Sequence, residues 1–199
     1  MSSVTSTPVI PRMKSEDRRE LILTAATAVF GESGYVGATT DQIAQAAGVS
    51  QPYVVRMFGT KQKLFLEVLH RALRHLMSTF RFELSRTSDE PLQHRLGVAY
   101  ATMSGDQSGL LLCLMHAFVL GGDPEIGEAA RCGFLEVYTL LREEAGFDAE
   151  EATQFLAYGM LMNTLIGIRL TEAFDTDPAA KELMTTAFPA KLDIILKQK

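Results

Sequence analysis

From Ser15 onward the apolar residues return every three or four positions, and no useful stretch alternates apolar with polar. That spacing puts the apolar side chains on one face of a helix, whereas a strand needs a period of two. Gly and Pro fall mostly between the periodic segments rather than inside them. The chain is therefore expected to be all-α, with about nine helices. It has 199 residues, 47% of them hydrophobic and 22% charged, enough to bury a sizeable core in one domain or two.

The helix boundaries are marked locally. The first helix is expected from Ser15 to about Gly31, with Ile22, Ala25, Ala26, Val29 and Phe30 on its buried face. Thr39 or Thr40 caps the second, and Gln42 stands three residues after Thr39, as a capping box requires. Gly48 supplies a left-handed turn, Val49 plugs the angle, and Ser50 caps a third helix with Pro52 in its first turn. Val54 and Phe58 point inward from that helix, leaving Gln51, Tyr53 and Arg56 on its other face. Thr60 caps a fourth helix, which begins at Lys61 and runs towards Arg86. Further helices are read over Leu92 to Met103, Gln107 to Leu120, from the Asp123 cap to near Gly146, and from Asp148 to Thr171. The last starts after Asp177-Pro178 and is bent or broken at Pro189.

Several function classes are disfavoured. No stretch reaches the ~18 uninterrupted apolar residues of a membrane span, and the first residues lack the apolar core of a signal peptide. A cytoplasmic protein with no membrane partner is expected. Cys113 and Cys132 lack metal-ligand spacing and read as buried thiols. Four histidines (His70, His75, His94, His116) show no metal pattern, and neither a Ser-His-Asp set nor a phosphate loop appears. No catalytic residue, metal or cofactor is expected. The net charge of −5 divides unevenly: residues 1–75 carry nine basic and six acidic residues, the remainder 10 and 18. A basic end beside an acidic one suits contact with phosphate at that end.

Two short helices joined through Gly48 and leaning on a third make a helix-turn-helix, whose second helix can lie in a major groove. The wider string over residues 18–65, RRELILTAATAVFGESGYVGATTDQIAQAAGVSQPYVVRMFGTKQKLF, resembles the DNA-binding region of the TetR family of bacterial regulators. The landmarks are Ala25, Ala26, Phe30, Gly34, Thr39, Thr40, Ile43, Ala44, Ala47, Gly48, Val49, Ser50, Phe58 and Lys61. Where the family usually places two aromatics and often a histidine before that Phe, this chain has Val55, Arg56 and Met57, with its tyrosine earlier at Tyr53.

The first eleven residues are rich in Ser, Thr and Pro and lack a periodic apolar pattern, so residues 1–14 read as a mobile arm. The resemblance implies a DNA-binding domain over 15–63 and a helical regulatory and dimerisation domain over 64–199. It implies phosphate contacts from Thr39 or Thr40 and from Lys61, with Gln51, Pro52, Tyr53 and Arg56 facing bases or sugars. Tyr53 alternatively packs over Pro52. Arg56 either replaces the missing backbone contacts or reads a guanine edge by paired hydrogen bonds. The partners implied are near-palindromic operator DNA, a second copy of the chain, and a small apolar or aromatic effector that releases a repressor from DNA. The Met- and aromatic-rich second half suits an adaptable cavity. Met103, Met115, Phe118, Phe134, Tyr138 and Met162 are its candidate walls, with His116, Asn163 and Arg169 as polar groups. Gly159, Asn163 and Gly167 form a narrow stripe that lets another helix approach, assigned to the dimer interface. Helix 4 joins the two parts and is the expected lever. The rival reading is a DNA-binding regulator without a small ligand, constitutive or controlled by a protein partner.

Overall fold

The computed structural model describes residues 14–106 and 108–197. The expected arm over 1–14 lies almost wholly outside the described residues. Among the described residues ten α-helices follow one another: α1 (Ser15–Gly37), α2 (Thr40–Ala46), α3 (Gln51–Phe58), α4 (Lys61–Ser85), α5 (Leu92–Asp106), α6 (Ser108–Val119), α7 (Pro124–Thr139), α8 (Ala149–Gly167), α9 (Pro178–Ala187) and α10 (Leu192–Leu196). No strand occurs among the described residues. No single helix there is long and apolar enough to cross a membrane.

The caps form where local sequence places them. Gln42 N donates to Thr39 Oγ1 at 3.2 Å and Thr39 N donates back to Gln42 Oε1 at 2.9 Å. Asp148 and Glu151 make a second such box at the head of α8, with both bonds at 2.8 Å. Thr60, Asp123 and Asp177 cap α4, α7 and α9 through their side-chain oxygens. Ser50 departs from expectation, since its side chain makes no cap bond. Pro52 has no N–H to offer, and the Tyr53 N–H is taken by the Ser50 carbonyl at 3.0 Å.

Three boundaries differ from the periodic reading. Helix α1 continues beyond Gly31 and breaks only at Gly34 (φ 69°, ψ 168°), after which one more turn reaches Gly37. Helix α8 stops at Gly167 rather than Thr171: Arg169 adopts left-handed backbone (φ 57°) and starts a short 3₁₀ turn over Leu170–Ala173. Past Thr139 the chain widens into a π-turn over Leu140–Glu144, closed by Ala145 N to Leu140 O at 2.9 Å. The break expected at Pro189 separates α9 from α10.

One apolar core joins α1–α4 to α6. Ile22, Ala26, Phe30, Ile43, Ala44, Val54, Phe58, Leu64, Phe65 and Val68 share it with Leu110, Cys113 and Ala117. The 63/64 boundary falls in the first turn of α4, and this core runs across it. Helices α1 and α6 cross at two glycines: a Cβ on Gly31 would lie 2.7 Å from Gly109 Cα, and one on Gly109 would lie 2.9 Å from the Thr27 carbonyl oxygen. Two further cores hold the rest. Leu76, Phe80, Leu96, Leu140 and Leu141 fill the centre, and Met162, Leu165, Met184, Phe188 and Ile195 fill the far end. At the α4–α5 corner, buried Glu83 accepts from Arg86 Nη1 at 2.9 Å and lies 3.9 Å from Arg95 Nη1.

Candidate nucleic-acid interface and interior cavity

Helix α3 is fastened by Val54 and Phe58, both buried, and holds Pro52, Val55 and Arg56 in solvent. Gly48 makes the preceding turn at φ 63° with open space around its missing Cβ, so backbone conformation, not crowding, requires glycine there. Tyr53 is half-buried and stands between two guanidinium groups, Arg56 Cζ 5.0 Å and Arg18 Cζ 5.7 Å from its ring centroid. Such cation–π contacts hold the cations near the ring while leaving their N–H groups free to donate. Tyr53 therefore packs against two arginines. Arg18, on α1, belongs to this cluster and was not a candidate by sequence. It is far from α3 in the chain, and no short-range spacing links them.

The other candidates have partly internal partners. Gln51 Nε2 donates to Thr40 Oγ1 at 3.2 Å, tying the starts of α3 and α2 together. Thr39 is exposed and engaged in its own capping box. Lys61 is placed differently from the expected phosphate contact. Its ammonium donates to the carbonyls of Tyr35 at 2.8 Å, Ala38 at 3.0 Å and Val36 at 3.4 Å, and sits 4.6 Å from the Tyr35 ring centroid. A lysine has three protons, so this one is spent on the carbonyls that the end of α1 leaves unpaired.

Behind this head lies a cavity of about 380 Å³, within the range of small-molecule sites. Helix α4 contributes Leu69, Leu73, Leu76 and Phe80, α6 contributes Leu114, Ala117 and Phe118, and α7 contributes Gly133, Phe134 and Val137. Helix α8 adds Phe155, Leu156, Gly159, Met162 and Asn163. Phe118 and Phe134 meet edge-on with centroids 6.0 Å apart. The polar wall includes His94, Tyr100, Asn163 and Lys191. The Tyr100 hydroxyl donates to Asn163 Oδ1 at 2.8 Å. Burial pushes the Tyr100 phenol up to about 12, with the Asn163 bond acting in the opposite sense, so the hydroxyl keeps its proton at neutral pH. A broader groove along the outer side of α4, between His70 and Phe82, is an open surface.

Of the residues expected around a ligand, Phe118, Phe134, Met162 and Asn163 line this cavity. The others lie elsewhere. Met103 is buried in the central core beside Leu96, and Tyr138 packs against that same core from a neighbouring turn. Met115, half-buried on α6, is not among the residues that line the cavity. His116 lies against α1: a Cβ on Gly34 would come within 3.1 Å of its Cε1. Arg169 is exposed on the 3₁₀ turn and pairs with Glu172 at 3.0 Å. Helical phase is the reason for the α6 pair, since residue 115 sits roughly 100° and residue 116 roughly 150° round the helix from the centre of the wall that 114, 117 and 118 form. The small-residue stripe is divided: Asn163 is 4% exposed, Gly159 is half-buried with a Cβ there 3.8 Å from Tyr100 Cε1 on α5 of the same chain, and Gly167 is exposed. Cys113 is a buried thiol, pushed up to about 12 by burial, whereas Cys132 is exposed.

A short helix held at this angle by two others, with its polar side left outward, is the architecture of a helix-turn-helix, the class of protein that reads duplex DNA. Residues 22–68 match the family model described as bacterial regulatory proteins, tetR family. The chain is 30% identical over 156 residues to the HTH-type transcriptional activator FasR of Mycolicibacterium smegmatis, covering 75% of this chain and 70% of that protein. It belongs to the TetR family. Solved structures share the fold along nearly the whole chain. A TetR-like regulator from Rhodococcus sp. RHA1 superposes with a TM-score of 0.61 at 17% identity, covering 89% of this chain and 97% of the other. The fatty acid degradation regulator FadR of Bacillus halodurans gives 0.59 at 21% identity, covering 92% and 97%.

Proposed function

We propose that the protein is a ligand-responsive regulator, acting as a repressor, that binds a near-palindromic operator as a homodimer and lets go when a small apolar effector fills the cavity. The observation that carries the DNA half is the α3 surface: Arg56 exposed and without an ion pair among the described residues, backed by Tyr53 and Arg18, while Val54 and Phe58 anchor the helix. Arg56 reads a base edge, Arg18 and the Thr39 and Thr40 hydroxyls meet phosphate, and Gln51 and Lys61 hold the unit in shape.

The ligand half rests on how the cavity is walled. Helix α6 faces it with Leu114, Ala117 and Phe118 while its opposite side is seated on α1 at Gly31 and Gly109. Helix α4 also lines it and carries Gln62, whose amide donates to both carboxylate oxygens of Asp123, at 3.1 and 3.3 Å, at the head of α7. An effector wedged among these helices shifts α6 and α4 against the head, so α4 shares the lever role with α6. Such an effector and DNA must weaken one another's binding by the same factor.

A dimer supplies the second recognition helix, one duplex turn of ~34–36 Å away. Ala157 and Thr164 of α8, Ile168 at its end, and Ala179, Leu183 and Thr186 of α9 point outward and are its interface, with Ile168 63% and Leu183 43% exposed in the single chain. Selection of duplexes from random DNA by the purified protein tests the reading. It should return one near-palindromic sequence, bound with an affinity that falls steeply with salt. Recovery of no sequence, or salt-insensitive binding, overturns it. A reporter driven from the recovered site then reads the sign of regulation, since FasR is named as an activator.

A further inference from the structure

The C-terminal part of the chain is acidic, with 10 basic against 18 acidic residues over 76–199, yet among the described residues no Asp or Glu lines the cavity. The one full cation among the described residues of its wall is Lys191, set in the break between α9 and α10, just past the buried ring of Phe188. Its side chain lies across α5 where Gly97 leaves the backbone bare: a Cβ at 97 would stand 2.6 Å from Lys191 Cε and collide with Nζ. No hydrogen bond or ion pair among the described residues engages that ammonium, and burial lowers its pKa with no opposing charge beside it. A half-buried cation in apolar surroundings without a carboxylate is an unmet electrostatic demand. On the wall of the same cavity, Asn163 Nδ2 has, among the described residues, the Met160 thioether 4.0 Å away as its acceptor.

We propose that the effector is a carboxylate with an apolar body, its anionic end held by Lys191 over Gly97 and its body lying along the α4, α6 and α8 walls. This rests on reading the cavity as an effector site. A neutral molecule of the same shape fills the walls equally well but leaves the ammonium unpaired. A dicarboxylate or a phosphate-rich anion meets one cation only and buries its remaining charge against Leu, Phe and Met.

The test uses two matched pairs, dodecanoate with 1-dodecanol and 2-naphthoate with 2-naphthol. Each is titrated by calorimetry at pH 7 into the full-length protein and into Lys191→Met and Lys191→Arg. The wild type should bind at least one carboxylate ~10-fold or more tightly than its neutral twin. Lys191→Met should abolish that preference while holding the neutral twin within about twofold, and Lys191→Arg should restore it. The favoured pair separates a chain from a ring. Equal affinity for acid and alcohol, or an acid preference that survives Lys191→Met, overturns the carboxylate assignment and leaves the cavity reading standing. Binding of none of the four probes overturns both.

Discussion

Arg56 and Lys61 are separated by a turn and a half of chain and have opposite employment. Arg56 is exposed, stacked on Tyr53 and available to an incoming base pair. Arg56→Ala should cost ~1–3 kcal/mol on the selected operator and relax its preference at one position. An equal loss on every duplex, read by competition binding at fixed salt, would make Arg56 a phosphate contact. Lys61 is closed on three carbonyls at the end of α1, so Lys61→Met should lower stability by about 1–2 kcal/mol in urea unfolding. If Lys61→Met instead leaves unfolding unchanged and weakens all duplexes alike, the lysine works on DNA. A sequence motif names such a lysine but not its partner. The carbonyls it satisfies lie 23 to 26 residues upstream and become neighbours only when α4 packs on α1.

Among the elements, the α1–α6 crossing is where the proposed effector signal has to pass to the head. Ala is a better helix former than Gly by ~1 kcal/mol, yet at position 109 its Cβ would meet the Thr27 carbonyl oxygen at 2.9 Å. Backbone cannot swing aside as a side-chain tip does, and overpacking of this kind costs ~1–3 kcal/mol. Gly109→Ala should therefore destabilise the protein on thermal unfolding despite its better propensity. A raised Tm would show that the two helices are free to separate. The helix ends around this crossing were legible because capping is local: Thr39 with Gln42 and Asp148 with Glu151 are three residues apart. The ends at Gly34 and Gly167 were not, since an apolar period continues through a residue whose backbone turns left-handed. The lining of the cavity was half legible for a similar reason. Periodicity picks out the buried positions of α6, but a rotation of roughly 100° per residue separates those facing α1 from those facing α8.

At the scale of the whole molecule, the proposed operator binding calls for two heads on one duplex. The outer faces of α8 and α9 should join them, so the double variant Ile168→Glu/Leu183→Glu should sediment as a monomer and lose operator affinity while keeping its helical circular dichroism. A dimer that persists would move the interface elsewhere on the chain. Gly159, by contrast, faces Tyr100 inside the same chain, and substituting it should disturb the cavity rather than the assembly. The amino-acid order alone determined the all-helical class, the helix-turn-helix and most caps, because each depends on residues within a turn or two of one another. Only the folded chain decided that Arg18 joins Arg56 at Tyr53, that Tyr100 reaches Asn163 63 positions away, and that Lys191 lies over Gly97. Those meetings are products of helix packing, which no periodicity along a single helix encodes.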